Sequence, residues 1–208
     1  ILSTWILCPI IAGLIAMFFY IITKKFIQNS KLHILRLDAY TRTALLLAGA
    51  FGAYSLGANN IANVMGVFVP ISPFTDINIM NIFVFSSKEQ LFLLGGIAIA
   101  IGVFTYSRKV MFTIGNDLSK LSPVAAFIVV ISHSIVLFLF ASQGISSFLQ
   151  SINLPSIPLV PVSSSQAVVG GVIGIGLLKG GKEIQWSIAG KISLGWFTLP
   201  IIAAFISF

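Results

Sequence analysis

Long stretches of the chain carry no charge, and short basic clusters separate them. Uncharged runs cover residues 1–23, 43–75, 90–107, 121–178 and 192–208. A helix needs about 20 apolar residues to cross roughly 30 Å of hydrocarbon, so the first, third and fifth runs each predict one transmembrane helix. The run 121–178 is long enough for two passes with a connection, and 43–75 exceeds one ordinary span. The pattern predicts an all-α polytopic membrane protein.

Composition agrees with the pattern. Hydrophobic residues make up 57% of the chain and charged residues 8%, with a mean hydropathy of +1.05. A soluble domain carries about a quarter charged residues, so no soluble class fits and the lipid bilayer is the expected surroundings. The net charge of +7 does not point to nucleic acid, because the basic residues sit between the apolar runs in the manner that fixes membrane orientation. Segment 24–42 carries Lys24, Lys25, Lys31, Arg36 and Arg42 against Asp38. Segment 108–120 carries Arg108, Lys109 and Lys120 against Asp117, and segment 179–191 carries Lys179, Lys182 and Lys191 against Glu183. By contrast, Lys88 is opposed by Asp76 and Glu89, and residues 143–162 have no charge. Placing the three basic loops in the cytoplasm closes a multi-pass topology in the cell membrane, with the C-terminus outside.

The chain starts directly in an apolar run without Met, a basic n-region or a cleavage site, which suggests that further sequence precedes Ile1. Cys8 is a lone cysteine within that run. It implies neither a disulfide framework nor a thiolate metal site and reads as a small packing residue.

Residues 43–56, TALLLAGAFGAYSL, read as apolar helix. At 1.5 Å per residue they span about 21 Å, short of the hydrocarbon thickness. The sequence GANNIAN follows at 57–63, placing Asn59, Asn60 and Asn63 close together. Each buried carboxamide brings donors and acceptors that lipid cannot satisfy. A helix broken near Gly57–Asn60 within residues 40–70 would answer this demand, because irregular backbone at membrane depth is tolerated where it lines a cavity. The half-helix after the break would aim its N-terminal amides at a bound group. The alternative is that the asparagines only glue neighbouring helices together.

A second polar interruption lies in the run 121–178. Ser122-Pro123 is a helix start, with Ser as cap and Pro at the first helical position. After about Ser142 come Gly144, Pro155, Pro158 and Pro161, then Ser163-Ser164-Ser165-Gln166 and an apolar, glycine-rich helix. An uncharged, proline-rich connector suits a re-entrant helical hairpin, over residues 122–180, that dips into the protein. The serine run would then offer hydroxyls and exposed amides; a plain N-cap is the alternative. The GGVIGIG string at 170–176 lacks the order and the preceding strand of a dinucleotide site and reads as packing between helices.

At these motifs the chain resembles the inorganic phosphate transporter (PiT) family of sodium– or proton–phosphate symporters. GANNIANVMG at 57–66 is similar to that family's GAND signature, and TIGNDLSKLSPVAAF at 113–127 to its TIG…L-(T/S)-P segment. PVSSSQAVVGGVIGIGL at 161–177 resembles its PVS-(S/T)-(S/T)-(H/Q) hairpin, and GKISLGWFTLP its closing helix. The resemblance implies one of two inverted repeats, the C-terminal one. Residues 1–28 would be the last span of the preceding half, and 29–208 the repeat itself, with a span at 89–107 and a closing span at 186–208. It implies phosphate and cations bound between repeats near the midplane, and a partner N-terminal repeat supplied by a missing segment or by a separate chain. A homo-oligomer is compatible with all of this.

The expected phosphate-binding residues are Asn59, Asn60, Ser163, Ser164, Ser165 and Gln166. The expected ligands of a coupling Na+ are Asn59, Asn63 and Ser164, with no other cofactor. Two positions depart from the family: Asn60 stands where Asp is usual, and Gln166 where His is frequent. Neither leaves a carboxylate inside an apolar run, since Asp38, Asp76, Glu89, Asp117 and Glu183 all flank the spans. The anion would then be held by helix N-termini, hydroxyls and carboxamides. Uncharged oxygen donors suit Na+ better than H+, which needs a titrating group. His133, the one titratable side chain of the run 121–178, reads either as a proton acceptor near the hairpin or, preferred, as a hydrogen-bonded packer between helices. Asp117 and Glu183 read as surface charges.

The expected function is secondary active symport, importing inorganic phosphate with Na+ by alternating access. A sulfate permease of the same family and a non-transporting membrane scaffold subunit are the alternatives. No nucleophile beside a base and no carboxylate pair at depth argues for an enzyme.

Overall fold

The computed structural model describes residues 2–30, 33–79 and 83–207, with the side chains of all but 2, 3, 63, 79, 115–117 and 207. Lys31, and the side chains of Asn63 and Asp117, therefore lie outside the described residues. The chain is an all-α polytopic membrane protein. Helices α1 (Leu2–Asn29), α2 (Ile34–Gly66), α3 (Ser87–Phe112), α4 (Pro123–Ala141), α5 (Gln143–Ser151), α6 (Ser164–Leu178) and α7 (Trp186–Ser207) follow one another. Among the described residues, helices at Thr4–Asn29, Ser87–Phe112, Pro123–Ala141 and Trp186–Ile206 are long and apolar enough to cross a membrane.

The helix expected to break does not break. α2 runs continuously for 33 residues through Gly57–Asn60, about 50 Å at 1.5 Å per residue. Its backbone groups stay paired within the helix, as hydrocarbon demands. The carboxamide of Asn59 finds its partner through its side chain instead, in the Val162 N–H. The helix ends at Gly66, and a short 3-10 turn over Val69–Ile71 follows.

Between α2 and α3 the chain makes a small antiparallel ribbon, β1 (Ile77–Ile79) with β2 (Phe83–Phe85), in which Asn78 pairs with Val84. The acids of this segment serve the start of α3. Ser86 and Glu89 form a reciprocal capping box, and the Ser87 N–H donates to Asp76 Oδ1 at 2.7 Å. α3 then continues into a π-helical turn at Thr113–Leu118, where the side chain of Leu118 is fully buried. The Leu118 carbonyl accepts from the Gln185 N–H at 3.0 Å, which ties this turn to the beginning of α7.

α4 and α6 form the centre. α4 opens on the Ser122 cap, whose hydroxyl accepts from the Ala125 N–H at 3.3 Å. α6 runs antiparallel to α4: Ala125 and Val129 share a core cluster with Val172 and Ile175, and Val136 and Phe140 share another with Val162 and Ala167. α1 lies parallel to α6, with Cys8 beside Ser163 and Gly13 against Gly174. α2 lies parallel to α4, with Gly52 against Val130 and Ser134. The two long passes of the hairpin, α4 and α6, thus run in opposite directions, whereas the packed pairs α1–α6 and α2–α4 run in the same direction.

The α1–α6 seam is made of backbone. A Cβ on Gly174 would lie 2.5 Å from the Gly13 carbonyl oxygen, and one on Gly170 would collide with the backbone of Pro9. Only glycine permits this approach, the membrane device of small residues at helix contacts. The 170–176 string therefore packs helices, as its composition implies.

Candidate functional site

Asn59, His133 and the serine run converge on the first turn of α6. Ser163 caps that helix, its hydroxyl accepting from the Gln166 N–H at 3.4 Å. Its carbonyl accepts from the Ala167 N–H at 3.1 Å. The N–H groups of Ser164 and Ser165 are left without an intrahelical partner, as at any helix start. They stand at the positive end of the α6 dipole.

Depth distinguishes this helix start from an ordinary one. His133 lies midway along α4, and its Nε2 is 2.9 Å from Ser164 Oγ. The chain leaves α4 through α5, turns at Asn153 with φ of 57°, and returns as an irregular segment before α6 begins. Pro155, Pro158 and Pro161 lie in this connector and lack N–H donors that would otherwise need acceptors. The N-terminus of α6 thereby reaches the mid-depth of the neighbouring span.

One connector donor is matched from far away. The Val162 N–H donates to Asn59 Oδ1 at 3.1 Å, both groups being buried. This bond is why α2 need not unwind: the carboxamide acts as acceptor for another segment while its own helix stays intact. Asn59 also lines a cavity of about 210 Å³ together with Ala58, Phe140, Gln143 and Pro161. Cys8 adds a weak contact, its thiol donating to the Ser163 carbonyl at 3.6 Å.

The hydroxyls of Ser163 and Ser165 bond to each other at 3.0 Å. Ser165 also lines a second cavity, of about 330 Å³, between α3, the π-helical turn and α7. Gln166 is 4% exposed, and its Oε1 is buried with no hydrogen-bond partner among the described residues. An unpaired buried amide oxygen costs about 1–3 kcal/mol.

The structure thus brings together Asn59, Ser163, Ser164, Ser165 and Gln166. Asn60 is half-buried and takes no part in this hydrogen-bonded group, and the side chain of Asn63 lies outside the described residues. His133 joins the group through a bond from α4 to α6, in keeping with its preferred reading as a hydrogen-bonded residue between helices, and the Val162 amide joins it without having been expected there. The isolation of His133 in an uncharged run was the available signal for the first. The second, a backbone donor, leaves none in sequence. Among the described residues no group of three or more His, Cys, Asp or Glu side chains could hold a metal ion. The donor set is neutral: amides, hydroxyls and carboxamides.

Residues 35–207 match the phosphate transporter family. The chain belongs to that family. It is 30% identical over 208 residues to a Methanocaldococcus jannaschii protein named as a phosphate permease, covering all of this chain and 58% of that one. A phosphate permease so named in Thermococcus kodakarensis is 27% identical over 94% of this chain and 44% of its own length. The human sodium-dependent phosphate transporter 1 is 26% identical over 75% of this chain and 21% of its own length. The chain therefore spans at most about three fifths of these phosphate transporter relatives. No solved structure matches it.

Proposed function

We propose that this chain forms one half of a secondary carrier that imports inorganic phosphate together with Na+ by alternating access. The observation that carries the reading is the start of α6: a capped helix N-terminus at mid-depth, ringed by serine hydroxyls, with Gln166 Oε1 buried and unpaired. Helix N-termini are natural anion sites, and oxygen-only donors suit a hard cation. Similarity to proteins named as sodium-dependent phosphate transporters supports both ligands. The set Asn59, Ser163, Ser164, Ser165 and Gln166 would hold phosphate. Asn60 of α2 would complete the anion's surroundings, and Asn59, Asn63 and Ser164 would share oxygens with the cation.

This half contributes no carboxylate to its apolar runs, so negative charge for the cation would come from the rest of the transporter. The greater length of the relatives supports a second repeat, of which residues 1–28 would be the last helix and against which residues 29–208 would close. The basic segments near Lys24, Lys109 and Lys182 would face the cytoplasm, leaving the end of α7 outside.

Uptake of labelled phosphate into proteoliposomes, with and without an inward Na+ gradient, tests the reading. Accumulation that follows the Na+ gradient supports it. Uptake driven by a pH gradient and indifferent to Na+ would remove the Na+ assignment. Saturable uptake of sulfate in place of phosphate would remove the anion assignment.

A further inference from the structure

The serines of α4 satisfy themselves locally. Ser132 Oγ donates to the Ile128 carbonyl and Ser134 Oγ to the Val130 carbonyl, each at 2.7 Å. His133 differs from both, for it bonds to another element: Nε2 to Ser164 Oγ at 2.9 Å. The histidine is 9% exposed, and Ser164 is the first residue of α6. The bond therefore ends at the mouth of the anion site rather than on the flank of a helix.

A hydroxyl has one proton and two acceptor lone pairs, and a neutral imidazole has one donor and one acceptor nitrogen. If Nε2 accepts, the Ser164 proton is committed to the ring and only lone pairs face the site. If Nε2–H donates, a lone pair is committed and the Ser164 proton is free for an anion. The neighbouring hydroxyls are otherwise occupied, since Ser163 caps the helix and pairs with Ser165. Ser164 is the hydroxyl of this turn that an outside residue orients.

We propose that His133 is a positioning residue of the transport site: it holds the Ser164 hydroxyl at the mouth of α6 and, by its tautomer, sets whether that hydroxyl offers a proton to the anion or a lone pair to the cation. This inference rests on the phosphate–cation reading above.

Two measurements test it. In the uptake assay on the full transporter, His133→Leu should raise the phosphate KM about tenfold while the maximal rate stays within about twofold. His133→Gln, whose amide reaches a similar point and can donate or accept, should recover to within about threefold of wild type. In a Ser164→Ala background, His133→Leu should add no further loss. His133→Gln as impaired as His133→Leu, or losses that multiply with Ser164→Ala, would overturn the proposal in favour of simple packing.

The second measurement does not depend on transport. A ¹⁵N-histidine difference spectrum, wild type minus His133→Gln, isolates the His133 ring nitrogens. Ser164→Ala should move the Nε2 signal, and inorganic phosphate should move it again in wild type. A signal unmoved by either change overturns the positioning role. Uptake with a still signal sinks the role of His133 and leaves the transport reading standing. A moving signal without uptake supports the role of His133 at the anion site and sinks the transport reading.

Discussion

Asn59 and Val162 are joined by a buried hydrogen bond of 3.1 Å although they stand 103 positions apart in the chain. Val162 directly precedes the cap of α6, so the bond fixes the start of α6 to the C-terminal third of α2. Replacing Asn59 by Ala would strand the Val162 N–H, at a cost of about 1–3 kcal/mol. Asn59→Ala should lower the midpoint of thermal unfolding and raise the phosphate KM. Asn59→Asp, which keeps an acceptor, should recover most of the stability without recovering phosphate affinity, because it puts a negative charge beside the anion. Calorimetry alongside uptake separates the two effects.

Gln166 should behave in the opposite sense. Its Oε1 is buried without a partner, a cost that an apolar residue of similar size avoids. Gln166→Leu is expected to leave stability unchanged or to raise it by about 1 kcal/mol, while phosphate KM rises about tenfold. A variant that loses stability and transport together would show that the carboxamide is structural.

Asn60 offers a gain-of-charge experiment. It is half-buried and close along the helix to Asn59, so a carboxylate there would add charge near the oxygen set without disturbing the Val162 bond. Asn60→Asp should lower the Na+ concentration for half-maximal uptake by roughly tenfold, equivalent to about 1.4 kcal/mol. Titration of uptake against Na+ at fixed phosphate measures it. An unchanged Na+ dependence would place the cation away from α2.

The helix seam can be probed by volume. Gly174→Ala inserts a methyl group 2.5 Å from the Gly13 carbonyl and should cost about 1–3 kcal/mol as overpacking. Gly190→Ala in α7 meets nothing within 4 Å and should be neutral or slightly stabilising, since Ala favours helix over Gly. Comparison of the two unfolding midpoints decides the point.

Much of this arrangement could be read from local signals. Ser122-Pro123 and Ser163 announce helix starts because a hydroxyl cap and a fixed φ act within one turn. The apolar runs announce the spans because bilayer thickness sets their length. The continuity of α2 could not be read that way. A cluster of carboxamides in lipid demands partners, and the sequence cannot show that one of them is an amide of Val162 reached by tertiary folding. The same limit hid the direction in which His133 points. α5 was lost in the connector for a different reason: Gln143–Ser151 is a short, uncharged helix whose Ser and Gly content resembles a loop. The π-helical turn at Thr113–Leu118 has no distinct residue pattern at all.

The glycine seam bears on how the chain divides. By resemblance α1 ends one half of the transporter and α6 carries the site of the other, yet these two helices meet backbone to backbone at Gly13, Gly170 and Gly174. Cys8 and Ala12 of α1 are fully buried in the cluster that holds Val162 and Ala167. A cut at residue 28 would leave α6 with an open, side-chain-free trough where α1 had been, exposing the very turn that carries the serines. The covalent boundary between halves and the boundary between cooperative folding units would then fall in different places, with α1 made in one half and needed by the other.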